Sequence, residues 1–377
     1  MPLPALLRAE IARRGPIPFR DFMERALYHP EHGYYSSGRA AIGRGGDFFT
    51  NVSVGPLFGR LLAVQFEEMR QHLGGPEDFT IVEQGAHDGA FAFDVLSHLR
   101  GSLRYVIVEP SARARAAQQT RLGVFAESVS WVPSLAELPP FTGVHFSNEL
   151  IDAFPVHLVT WTGAEWFERH VAVAGDAFVF TDAPLSSAAL RERLARLPAV
   201  PPGYVTEVNL AAPEWLDQLA PKLQRGWLLA IDYGYPRDEF YRPDRLDGTL
   251  SAYADHQRER NPLARPGEID LTAHVDFTTL AEHAISLGLD LAGFTDQHHL
   301  MVGLSQLHFP DEPATTPERQ KELRALQTLM HPTLMGRVFK AICFTRGTAP
   351  SLSGFRFARD ARGALNLSSA EAPYTAR

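Results

Sequence analysis

Apolar positions along the chain change period several times, and each change marks an element. Helical spacing over residues 6–14 and 19–27, interrupted by Gly15-Pro16-Ile17-Pro18, predicts two amphipathic helices, with Pro18 at the start of the second. Pro56 opens a longer helix to residue 73, with Leu57, Leu61, Leu62, Val64, Phe66 and Met69 on its apolar stripe and Gly74-Gly75-Pro76 as its stop. The period then shortens. Compact apolar runs at 80–82, 104–108, 129–131, 143–147 and 227–231 predict buried strands. Helical spacing returns at 91–99, 112–121 and 213–223. Further on, 277–287 and 318–330 predict helices, and 289–295 and 338–344 predict strands. Strands and helices in alternation predict an α/β domain with a largely parallel sheet.

One stretch breaks this rhythm. Residues 156–162, 166–174 and 177–181 read as short antiparallel strands, with Thr162-Gly163 and Gly175-Asp176 as turns. Residues 156–208 are therefore expected to be a β-rich insertion carrying a helix at 187–197, with 198–203 linking back. Residues 236–276 are expected to be largely irregular. The polar, Ala/Ser-rich segment 347–377 is expected to be a flexible tail. The predicted organisation is an N-terminal helical region with a covering loop (1–76), an α/β core (77–155 and 209–346), the insertion and the tail.

Candidate chemistry gathers at strand ends. After the run at 80–82 come Glu83 and the turn Gly85-Ala86-His87-Asp88-Gly89, then a helix, a second strand, and the acid Glu109 followed by Pro110. Glycines let backbone approach a ligand, and a helix N-terminus favours an anion. An acid at the next strand tip can accept from both hydroxyls of a ribose. This is the grammar of a nucleoside-binding βαβ unit, though the spacing is G-x-H-x-G rather than G-x-G-x-x-G. The fourth strand ends in Ser147-Asn148-Glu149-Leu150-Ile151-Asp152, and the fifth in Asp232-Tyr233-Gly234-Tyr235. Polar residues at such ends are where open α/β sheets place chemistry. The loop at 42–50, holding Asp47 and Thr50, is either a lid or a wall over that end.

Totals narrow the classes. A formal net charge of -8 argues against a wide nucleic-acid footprint. The single cysteine, Cys343, allows neither an intrachain disulfide nor a cysteine zinc site, and the scattered histidines suggest no metal set. No signal peptide and no membrane-length apolar run is read, so a soluble cytoplasmic protein is expected.

Taken in order, H-G-Y-Y-S, G-D-F-F-T…P-L-F-G, E-Q-G-A-x-D-G, S-N-E-L-I-D-A-F-P, A-I-D-Y-G-Y, P-G-E-I-D-L-T-A-H-V-D-F and M-G-R-V-F-K resemble the MidA-like family of S-adenosylmethionine-dependent methyltransferases. Mitochondrial members of that family act as protein arginine methyltransferases in respiratory complex I assembly. The resemblance spans roughly residues 5–345. It implies a class I methyltransferase fold, a Rossmann-like seven-stranded sheet with N-terminal helices and a substrate-side β-rich insertion. It implies S-adenosylmethionine as cofactor, with Glu83, Gly85, Ala86, His87 and Gly89 on the cofactor turn and Glu109 and Pro110 at the ribose. Asp47 and Thr50 fall on the covering loop, and Asn148 and Glu149 on the motif after strand four.

Two positions depart from the family pattern: His87 stands where a small residue is usual, and Ser53 where an acid is usual. The imidazole can crowd the methionine moiety or bond its carboxylate. Asn148, Glu149 and Asp152 are the candidate catalytic set, because carboxylates orient a guanidinium fork; Asn148 and Glu149 hold either the cofactor amine or the substrate. Asp152 either faces the acceptor or caps the next turn. Tyr34 and Tyr35 either wall the pocket or pack the N-terminal helices. Asp270, His274 and Asp276 are a candidate acid/base cluster, with Asp276 alternatively an N-cap. The expected partner is a protein substrate or an assembly partner, with a homodimer possible; no nucleic acid and no membrane is expected. The chief alternative is an inactive assembly factor on the same fold. A nicotinamide oxidoreductase would rest on the βαβ unit alone.

Overall fold

The computed structural model describes residues 1–38, 50–99, 103–254, 257–309, 316–348 and 350–367. Its centre is a sheet of seven principal strands: β1 (Thr80–Gln84), β2 (Arg104–Val108), β3 (Val129–Val132), β4 (Phe141–Asn148), β5 (Leu223–Tyr235), β6 (Asp290–Asp296) and β7 (Phe339–Arg346). They lie in the order β3-β2-β1-β4-β5-β7-β6. The first five pair in parallel, and β7 runs antiparallel to β5 and β6. The order reverses between β1 and β4, so the carboxyl ends of these strands border a natural crevice.

The helices are α1 (Leu3–Arg14), α2 (Phe19–Tyr28), α3 (Leu57–His72), α4 (Ala90–His98), α5 (Ala112–Arg121), α6 (Ala188–Leu194), α7 (Ala211–Leu219), α8 (Arg237–Phe240), α9 (Phe277–Ser286), α10 (Gln297–His308), α11 (Pro317–Met330) and α12 (Ala361–Ala364). Alternation within the strands divides the sheet's two faces. Ile81, Tyr105, Val144, Phe146, Trp227 and Leu229 join α3, α4, α10 and α11 in one buried cluster. Val82, Val106, Val108, Leu228 and Ala230 join α7 and α9 in the other.

The insertion is an antiparallel sheet of His157–Trp161, Trp166–Ala174, Ala177–Ala183 and Val205–Val208. Its outer partner is N-terminal: Ile17 pairs with Val171 and Pro18 with His170. Phe19, Phe22 and Met23 of α2 bury against Leu158, Val171 and Phe178 of this sheet. The N-terminal region expected as one unit therefore divides. Helices α1 and α2 share a core with the insertion, whereas α3 packs on the main sheet. Arg193 of α6 pins the insertion to the core through Asp276, 2.5 Å away.

Residues 236–276 are largely irregular, as expected, with α8 and a three-stranded antiparallel sheet of Ser251–Ala254, Gln257–Glu259 and Asp270–Thr272 set among the loops. Ala252, Ala254 and Leu271 face the core that holds α1 and α2, which gives this mostly polar segment its buried side. The helix predicted at 213–223 runs Ala211–Leu219, and β5 begins at Leu223. The segment after Gly347 is not simply a loose tail, because Leu352, Phe355 and Leu365 are buried in the two main clusters. Residues 368–377 of that tail lie outside the described residues. Among the described residues no helix is long and apolar enough to cross a membrane.

Candidate active site

Strand β1 ends in a turn built from left-handed backbone. Gly85, His87 and Gly89 have φ of 83°, 48° and 81°, and Gly89 stands at the N-terminus of α4. Left-handed geometry is ordinary for glycine and strained for histidine. A Cβ placed on Gly85 would meet, among the described residues, only the Leu150 side chain, at 3.4 Å. The side of the turn facing the crevice is thus open for a ligand to approach backbone. Ala86 is buried. The His87 imidazole is about a third exposed, with Nδ1 3.7 Å from Asp88 Oδ1. Asp88 in turn accepts from Ala90 N and from Arg121 Nη2, at 3.1 and 2.6 Å. These partners hold its carboxyl down to about 2 against the opposing effect of burial.

Glu109 follows β2 and is nearly buried. Its Oε1 accepts from Ser111 N at 2.8 Å and its Oε2 from Gln118 Nε2 at 3.0 Å. Each oxygen keeps lone-pair capacity for another donor, as a ribose diol requires. Burial raises its pKa, opposed by these two bonds and by Arg115. Pro110 beside it is exposed.

Glu83 is buried within β1, accepts from the Tyr105 hydroxyl at 2.7 Å, and is pushed by burial to about 8. Alternation along β1 explains this: Glu83 shares the face of Ile81 and points to the same side as Tyr105 of β2. Thr50 is also buried and closes a turn, its carbonyl accepting from Ser53 Oγ at 2.7 Å. Asp47 lies outside the described residues.

Carboxylates crowd the ends of β4 and β5. Glu149 takes a left-handed φ of 53°. Its Oε1 accepts from Asn148 Nδ2 at 2.8 Å and its Oε2 lies 3.4 Å from the Tyr233 hydroxyl. Burial, followed by the charge of Asp232, lifts it to about 7 despite the Asn148 bond. Asp232 is a backbone clamp: it accepts from Leu150 N, Ile151 N and Tyr233 N at 3.1, 2.8 and 2.9 Å. Asp152 is buried, and burial with the neighbouring charges of Asp232, Glu149 and Asp270 drives its pKa far upward. Among the described residues neither Glu149 nor Asp152 forms an ion pair with a cation. Uncompensated buried carboxylates cost several kcal/mol each when ionised, so burial favours their protonated form and an arriving cation favours the ionised one.

Two tyrosines lie within electrostatic reach of Asp152 and Asp270. Tyr35 donates to Asp270 at 2.8 Å and Tyr28 to the carbonyl of Ala153 at 2.9 Å. Their rings lie 5.6 Å apart. Tyr34 is a core residue of the N-terminal layer. The cluster of Asp270, His274 and Asp276 does not operate as a unit. Asp270 binds Tyr35, Asp276 caps α9 through Thr279 N at 3.0 Å, and His274 stacks on Tyr233 with centroids 6.2 Å apart. Burial depresses the His274 imidazole to about 4, so it is neutral at physiological pH.

Several residues of the site carried no pattern that sequence reading could catch. Gln118, fully buried on α5, joins the His87 carbonyl to Glu109. Asn51 joins Asn148 to Gln297. A lone amide has no periodicity, and only the folded chain brings it to its partners. Among the described residues no cluster of His, Cys, Asp and Glu is arranged to hold a metal ion.

Strand order and site together define the class: a methyltransferase of the class I fold that uses S-adenosylmethionine. Residues 61–295 match the family model described as "Putative S-adenosyl-L-methionine-dependent methyltransferase", and the chain belongs to this MidA-like family. A Burkholderia thailandensis protein crystallised with S-adenosyl-homocysteine is 35% identical, covers 96% of each chain and superposes with a TM-score of 0.88. Among curated relatives, a Drosophila melanogaster protein named "Protein arginine methyltransferase NDUFAF7 homolog, mitochondrial" is 28% identical, covering 90% of this chain and 84% of its own. The Homo sapiens protein "Protein arginine methyltransferase NDUFAF7, mitochondrial" is 26% identical, covering 98% of this chain and 88% of its own.

The residues present fit the cofactor. The open face of the Gly85 turn and the spare lone pairs of Glu109 suit a nucleoside, and the α4 N-terminus beside them suits a carboxylate.

Proposed function

We propose that this methyltransferase modifies a protein side chain, with the guanidinium of arginine as acceptor. The observation that carries the reading is the pair of buried carboxyls, Glu149 and Asp152, set at the strand ends beside the cofactor turn without a paired cation among the described residues. The arginine methyltransferase names of the curated relatives support it.

Bound S-adenosylmethionine supplies an electrophilic methyl group on a sulfonium. In the proposed arrangement Gly85, Ala86, His87 and Gly89 offer backbone to it, and Glu109 accepts from its ribose. Glu149 and Asp152 accept hydrogen bonds from the acceptor fork, which is planar and suits two carboxylates better than one. Asn148 holds Glu149 in place. A carboxyl with a proton affinity near neutrality can also take the proton that the nitrogen gives up as its new bond to carbon forms. Tyr28 and Tyr35, carried by the layer that contains the insertion, lie within electrostatic reach of Asp152, so the insertion side is proposed to receive the substrate chain. Alignment and exclusion of water account for the catalysis.

Incubating a lysate of the source cells with the protein and methyl-labelled S-adenosylmethionine, followed by tandem mass spectrometry, tests the reading. Label on arginine side chains is expected with wild-type protein and absent with E149Q. Binding of S-adenosyl-homocysteine without labelled protein would instead favour an assembly factor. Label on another residue type would overturn arginine as the acceptor.

A further inference from the structure

A line of side-chain amides connects Glu149 to the end of a distant helix. Gln297, the first residue of α10, places Nε2 3.0 Å from the carbonyl of Leu329 and 2.8 Å from Asn51 Oδ1. A backbone carbonyl only accepts, so the Gln297 atom facing it is its NH2. The direction of every later bond follows. Asn51 shows its oxygen to Gln297 and therefore its Nδ2 to Asn148 Oδ1, at 2.9 Å. Asn148 is then left to present Nδ2 to Glu149 Oε1, at 2.8 Å. Reversing Gln297 sets its oxygen against two acceptors, and reversing Asn51 sets like against like at both of its ends.

Burial makes the arrangement costly to break. Gln297 and Asn51 are wholly inaccessible to solvent. The Gln297 Oε1 has no hydrogen-bond partner among the described residues. A buried oxygen left unsatisfied is unfavourable, so the residue is held by what its NH2 does. The backbone of Asn51 adds a weaker donor, its N–H 3.4 Å from the same Glu149 oxygen.

We infer that Gln297 and Asn51 are positioning residues that impose a hydrogen-bond donor on Glu149 and thereby favour its ionised, cation-binding form. Their side chains act on Glu149 only through Asn148. Polarity set by one main-chain carbonyl in α11 passes through three amides to the carboxylate. The inference rests on Glu149 being the carboxylate that orients the acceptor, but the relay itself has a readout independent of turnover.

Carboxyl-carbon NMR titration of Glu149 in the full-length protein, assigned by loss of the signal in E149Q, tests it. Gln297→Met and Asn51→Leu are neutral, so they move the Glu149 midpoint through the amides and not through a new charge. Each is expected to raise that midpoint by about one pH unit, since a lost hydrogen bond to the charged form favours the neutral one. Leu300→Met, on the same helix and equally buried, controls for repacking and is expected to leave the midpoint in place. The pH profile of kcat/KM for methyl transfer is expected to shift with the midpoint, while affinity for S-adenosyl-homocysteine changes less than about threefold. A midpoint unchanged in Gln297→Met overturns the relay, even should Asn51→Leu fail to fold. A shifted midpoint together with full turnover by E149Q would keep the relay and retire the acceptor role of Glu149.

Discussion

Gln118 and Glu109 are joined by a 3.0 Å hydrogen bond from the buried amide of α5 to the acid that follows β2. The same Nε2 lies 2.9 Å from the carbonyl of His87, and Gln118 Oε1 accepts from Trp131 Nε1 at 2.9 Å. One side chain therefore sets the spacing between the glycine turn and the ribose acid, the two halves of the proposed nucleoside cradle. Gln118→Leu strands the Trp131 N–H and removes a donor from Glu109. A stability loss of about 1–3 kcal/mol is expected in urea unfolding. Calorimetry should also show S-adenosyl-homocysteine bound at least about tenfold more weakly, because both halves of the cradle lose their brace. Unchanged affinity would mean that the turn and the acid hold their positions without it.

Glu83 makes stability fall as pH rises from the acid range toward about 8. Its folded-state pKa of about 8 lies above its ordinary 4.5, so between these values the folded chain binds more protons than the unfolded chain. Stability contributed by this group falls as pH rises through that window, and the loss is complete above about 8. Glu83→Gln removes the dependence. From pH 6 to pH 9 the unfolding free energy of wild type should fall by on the order of 2 kcal/mol more than that of E83Q. Parallel curves would show that Glu83 is ionised in the folded protein.

Glu149 should govern the acid limb of activity. Below about 7 it is neutral and holds a cationic acceptor poorly. The kcat/KM for methyl transfer should therefore rise with pH and level off above about 7, once the carboxylate is formed. E149Q should lose about a hundredfold or more in kcat/KM and keep its affinity for S-adenosyl-homocysteine. A flat profile in wild type, or a variant with full turnover, would remove this residue from the chemistry.

Much of the architecture was legible because local pattern decides it. Residues 104–108 and 112–121 carry enough apolar or helical signal to predict β2 and α5 at their observed bounds. Helix α10 carries a weak local signal, because its apolar residues Leu300, Met301 and Leu304 sit among histidines and glutamines. The sheet around Ser251–Ala254 was hidden for a related reason: its buried positions are mostly alanines, which signal burial weakly. Pairing of Ile17 with Val171 joins segments far apart in the chain, and no local period reports it. At the site, the glycines, Glu109 and Glu149 stand out because turns and strand ends advertise them. Strand alternation turns the Glu83 side chain toward the Tyr105 hydroxyl, a pairing that its neighbours in sequence do not report. Asn51, Gln118 and Gln297 act through tertiary contacts alone.

The most direct measurement is calorimetric titration of S-adenosyl-homocysteine into wild-type protein and into Glu109→Leu. If the ligand's ribose rests on Glu109 and the His87 imidazole leaves the turn accessible, wild type should bind one equivalent and the variant at least about a hundredfold more weakly, the loss of two charge-assisted hydrogen bonds. A wild-type protein that releases no heat and gains no thermal stability at saturating ligand, or a variant that binds as tightly, would contradict the account.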